Sequence, residues 1–116
     1  MCLGIAGQII EILREPRDLA RVSVFGSERV INIGMALAIS TSGQSPNLIY
    51  ALQAARKKGL LTIAFSGKDG GRLREVAEYC FTVPSFSIHR IQECHVALLH
   101  ILWDLIHVAM GEEDVI

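Results

Sequence analysis

The sequence predicts an α/β domain built on a parallel sheet. Three observations carry that expectation. From residue 35 onward, strand-like and helix-like segments alternate, and helices between consecutive strands imply parallel crossovers. The first of those strands, MALAIS over 35–40, is a nearly continuous apolar run, as in a strand covered on both faces. The chain has 116 residues, 51% hydrophobic and 20% charged, enough for one domain with a real core and too apolar for a disordered chain.

In chain order, residues 4–15 place Ile5, Ile9, Ile10, Ile12 and Leu13 at helical spacing, and Pro16 ends that helix. ARVSVF, 20–25, alternates apolar and polar and reads as a short strand, with Gly26 and Ser27 as a turn. Residues 28–33 fit strand or helix equally. The strand at 35–40 stops at TSGQSPN, a run of small, capping and turn-forming residues. A helix follows over 48–59, with Arg56, Lys57 and Lys58 at its negative end and Gly59 as its stop. LLTIAFSG, 60–67, is a second strand, KDGG, 68–71, a turn, and 72–80 a short helix. CFTVP, 80–84, is a third strand ended by Pro84. SFSIH, 85–89, is a loop, and one long helix covers 90–110.

The balance of 11 basic against 12 acidic residues argues against direct nucleic-acid binding. Cys2, Cys80 and Cys94 are odd in number and widely spaced, without a CxxC pair, which fits a reducing cytoplasm better than a disulfide framework. The N-terminal apolar stretch lacks a basic n-region. The stretch 94–110 carries His95, His100, Asp104 and His107, unlike a membrane span of ~20 uncharged residues. A mean hydropathy of +0.40 hints at surface covered by other copies of the chain.

Ser40, Thr41, Ser42, Gly43, Gln44 and Ser45 lie between a strand and a helix. Ligands of open α/β sheets bind there, and a helix N-terminus offers free N–H groups to a phosphate. The hydroxyls of Ser40, Thr41, Ser42 and Ser45 add donors, and Gly43 permits close approach. Neither nucleotide fingerprint is present, so the loop suits a phosphomonoester such as a sugar phosphate. The plainer reading is that Ser45 or Asn47 only caps the helix. Ser66 could face the same ligand, whereas Gly70 and Gly71 read as a plain turn. On the last helix His89, Val96, His100, Trp103 and His107 fall within roughly 80° of Gln92, and His95 points elsewhere. A histidine beside Gln92 and Glu93 could be a general base or a metal ligand. A histidine on an apolar helix is also commonly a core or interface residue.

The STSG-x-S loop, the SGKDGG turn and the RIQE-x-H-x4-H helix, in that order over residues 34–107, resemble the SIS (sugar isomerase) domain, closest to its phosphoheptose isomerase branch. The resemblance implies a flavodoxin-like three-layer α/β/α sandwich, shortened at its N-terminus, in which 1–116 is a single SIS-type domain. It implies a cytoplasmic homo-oligomer, a tetramer or dimer, acting on a phosphorylated sugar such as sedoheptulose 7-phosphate by acid/base aldose–ketose isomerisation. Ser40, Thr41, Ser42 and Ser45 match the phosphate-holding positions, and Gln92 lines the site. His100 matches the catalytic histidine, and with Gln92 it matches the pair that binds zinc in some members. Two departures stand out. No GNGG loop occurs, so the following glutamate has no clear counterpart, with Gln8 or Glu11 nearest. His89 replaces an aspartate. The alternative is therefore a non-catalytic SIS module that binds a phosphosugar or a protein partner, as in the replication-initiator-associating branch, which lacks the His100 counterpart. A bare structural or oligomerisation fragment is the third reading.

Overall fold

The computed structural model describes residues 8–13 and 19–111. They form two sheets. The first is an antiparallel meander of β1 (Gln8–Leu13), β2 (Leu19–Val24) and β3 (Ser27–Asn32), in the order β1-β2-β3. The second is parallel and contains β4 (Met35–Ile39), β5 (Leu61–Gly67) and β6 (Tyr79–Val83), in the order β4-β5-β6. Helices α1 (Pro46–Lys57), α2 (Leu73–Val76) and α3 (Ile88–Ala109) alternate with these strands.

The expected helix over 4–15 is instead strand β1 where it is described; its other residues and Pro16 lie outside the described segments. Ile9, Ile10 and Ile12 satisfy a helical spacing, but their branched side chains favour extended backbone once β2 supplies hydrogen-bond partners. The ambiguous 28–33 resolves as β3, paired to β2 through a two-residue turn at Phe25 and Gly26. Both turn residues have positive φ, 49° and 79°, the geometry that matches the twist of a tight hairpin.

Side chains alternate across β5, and the two faces receive different helices. Ala64 packs with Ala38, Ile49, Leu52, Leu73 and Ala77 beneath α1 and α2. Phe65 faces the other way, 5.8 Å from the Phe81 ring and 6.0 Å from the His95 ring of α3. The parallel half is thus a three-layer α/β/α arrangement. Helix α3 packs on β5 and β6. Over β4, Met35 and Ile39 stay more than a third exposed. Helix α1 ends where the sequence indicates: the Gly59 N–H bonds Arg56 O and the Leu60 N–H bonds Ala55 O, closing a Schellman motif around Gly59 at φ 79°.

Candidate functional site

The carboxyl end of β4, the 40–45 loop and the first turns of α3 enclose a cleft of about 540 Å³. Ser40, Thr41, Ser45, Gln92 and His95 form its polar lining, and Ile39, Val96 and Leu99 its apolar side. It lies where the strand–loop–helix pattern puts a ligand.

The loop is tied by its own hydroxyls. Ser40 Oγ is 2.9 Å from Ser45 Oγ and 3.5 Å from Ser42 Oγ, and it accepts the Gly43 N–H at 3.1 Å. The Gln44 N–H donates to Ser42 Oγ at 3.2 Å. Ser45 is the N-cap residue of α1, yet its side chain makes no capping bond. Its hydroxyl faces Ser40 instead, so capping alone does not explain the serine. Pro46 occupies the first turn, where its missing N–H costs nothing. The first-turn N–H groups after it carry the positive end of the helix dipole.

Glycines press a second turn against this loop. A Cβ on Gly43 would lie 2.1 Å from Gly70 O, and one on Gly71 would lie 2.6 Å from Gly43 O. Both residues have positive φ, 66° and 57°. The Leu73 N–H closes the contact by donating to Gly43 O at 3.0 Å. Asp69 Oδ1 accepts the Gly71 N–H at 3.0 Å and shapes the turn. Gly70 and Gly71 are therefore more than a plain turn: they are the backing of the hydroxyl loop. Gly67 makes the third close approach, since a Cβ there would meet Thr41 O at 2.5 Å and Ile91 Cδ1 at 2.6 Å.

Ser66 does not face the cleft. It is fully buried, with Oγ 3.0 Å from Thr82 Oγ1 and 3.3 Å from Cys80 Sγ. On α3, Gln92 reaches the cleft, as expected. His95 also lines it, and its Nε2 sits 2.8 Å from Ser66 O. A carbonyl only accepts, so Nε2 carries the proton. The sequence placed His95 away from the Gln92 side; its spacing of four from Ile91, the other buried α3 residue, is the pattern that marks it. His100 is exposed and outside the cleft lining. His89 is exposed on the first turn, and the Trp103 and His107 rings meet at a 53° tilt with centroids 4.7 Å apart. Gln8 and Glu11 lie on β1, outside the cleft lining, and Glu11 pairs with Arg21 at 3.2 Å.

Of the expected zinc donors, Gln92 lines the cleft and His100 lies outside its lining. Among the described residues, no three His, Cys, Asp or Glu side chains converge as a group that could hold an ion. Cys80 and Cys94 are free thiols. No helix among the described residues is long and apolar enough to cross a membrane.

No family model matches the chain. Individual proteins do. A phosphoheptose isomerase of Aquifex aeolicus is 47% identical over 80 residues, 69% of this chain and 42% of that protein. One of Citrifermentans bemidjiense is 51% identical over 72 residues, 62% of this chain and 38% of the relative. One of Fusobacterium nucleatum is 40% identical over 93 residues, 80% and 46% of the two chains. A solved structure of a phosphoheptose isomerase from Francisella tularensis matches at 36% identity with a TM-score of 0.59, covering 62% of this chain and 41% of that one. The chain thus spans less than half the length of these relatives.

Proposed function

Since this chain belongs to the phosphoheptose isomerase family, we propose that its cleft binds a phosphorylated sugar and serves aldose–ketose isomerisation. The observation that carries the reading is the convergence of Ser40, Thr41, Ser45 and Gln92 on one cleft at the start of α1. In this proposal the phosphate sits on the loop hydroxyls and the first N–H groups of α1, where the dipole favours negative charge. Ser42, which holds the Gln44 N–H, turns the loop around it. The Gln92 amide addresses the sugar's oxygens. The carbon chain then runs along α3 toward His100, about 12 Å further along the helix axis at 1.5 Å per residue. There the imidazole takes or returns the proton that moves between adjacent carbons through an enediol. No step is assigned to a metal. The exposed stripe of Val96, Leu99, Trp103 and Met110 suits cover by a second copy, in keeping with a homo-oligomer in the cytoplasm.

One observation favours a second reading. No carboxylate among the described residues lines the cleft, so the partner acid or base of a proton transfer is not supplied there. A module that binds a phosphosugar, or a protein partner, without turnover fits that lining. Calorimetric titration with sedoheptulose 7-phosphate, with and without zinc, followed by an isomerase assay, separates the readings. Binding with turnover that His100→Ala abolishes supports the isomerase. Saturable binding without turnover supports the module. No binding refutes the phosphosugar assignment.

A further inference from the structure

Helix α3 carries the cleft's Gln92, yet it is held loosely. Among its described residues only Ile91 and His95 are buried. Beyond Leu98 the helix stands off the sheet, leaving a small apolar gap of about 90 Å³ against Phe65 and Phe81. The two buried side chains that anchor the helix on either side of Gln92 lie one helical turn apart. Ile91 fills the space beside Gly67, a nondirectional contact. His95 makes the directional one, from Nε2–H to the Ser66 carbonyl at 2.8 Å. Ser66 directly precedes Gly67, whose missing side chain lets Thr41 O and Ile91 come together.

The geometry points to His95 as a positioning residue for the phosphosugar site. Its Nε2–H fixes the rotation and height of α3 over the carboxyl end of β5, and so sets Gln92 opposite Ser40, Thr41 and Ser45. The same ring lines the cleft, so a bound sugar phosphate changes its surroundings. The role rests on the phosphosugar reading proposed above.

The test uses the whole chain with sedoheptulose 7-phosphate as probe, in wild type, His95→Leu and His95→Gln. A glutamine amide nitrogen reaches the place of Nε2, whereas leucine fills the volume without a donor. Leucine is expected to raise Kd by about tenfold, because Gln92 loses its fixed placement toward the ligand, and glutamine, which restores the donor, to return it to within about threefold. Nitrogen-15 NMR of the wild-type ring is expected to show a proton on Nε2, and an Nδ1 resonance that moves as ligand saturates. This readout does not require the leucine variant to fold. Wild type that binds nothing overturns the phosphosugar reading and this role with it. Wild type that binds, with leucine unchanged, with the proton on Nδ1, or with ring resonances that ignore saturation, overturns the positioning role alone.

Discussion

Strands β1 and β5 are both rich in apolar residues, yet five of the six residues of β1 are exposed, whereas six of the seven residues of β5 are buried. Ile9, Ile10 and Ile12 remain at least half exposed, whereas Phe65 is 1% exposed. The difference lies in what packs on each strand. β5 has α1 and α2 on one face and α3 on the other, while no described helix packs closely on the meander. A strand's apolar content states how much surface it would bury, and its neighbours decide whether it does. The same contrast holds for turns. Gly26 in the hairpin and Gly43 in the hydroxyl loop both have positive φ, but a Cβ on Gly26 meets nothing within 4 Å.

The contrast can be broken first at these glycines. Gly43→Ala adds a collision with Gly70 O to left-handed strain, and is expected to destabilise the chain by more than about 3 kcal/mol. Gly26→Ala meets only the strain, about 1–2 kcal/mol. Thermal unfolding of the pair checks this, and equal losses would refute the clasp between the two loops. Phe65→Ala is expected to cost about 3–5 kcal/mol, against less than about 0.5 for an exposed site such as Val30→Thr in the meander. Denaturant titration measures both.

Within the loop, Ser45→Ala is expected to weaken sugar-phosphate binding about tenfold, because hydrogen bonds to a charged group contribute ~1.5–3 kcal/mol. Calorimetry reads the effect, and unchanged affinity would reject the loop as the phosphate site. Glu11→Ala in the meander should leave that affinity unchanged and cost under about 1 kcal/mol of stability, as expected for an exposed ion pair. The smallest effect has the opposite sign. Phe25→Asn places the residue preferred before glycine in this hairpin turn, for a gain of about 0.5 kcal/mol in chemical unfolding.

The parallel half was legible because each element carried its own signal. MALAI reads as a strand, although Met35 and Ile39 stay more than a third exposed rather than covered on both faces; Gly59 reads as a helix stop, and the hydroxyl run as a loop at a strand end. The meander was not legible, since Ile9, Ile10 and Ile12 satisfy helix and strand spacings alike over so short a run. In the candidate site, Ser40, Thr41, Ser45 and Gln92 could be picked out one by one. The clasp of Gly43 with Gly70 and Gly71 could not, because it joins turns from two different strands.

By itself the sequence determined the strand–helix alternation, the parallel half that follows from it, and the polar residues offered at the end of β4. These are local properties of period, capping and turn chemistry. Tertiary structure alone decided that Ser45 turns to Ser40 rather than to its own helix, and that Ser66 is buried against Thr82. It also decided that His95 faces the sheet while His100 stays exposed. Those outcomes depend on where a carbonyl, a hydroxyl or an open space lies across the sheet, and such distances are set by packing between segments remote in the chain.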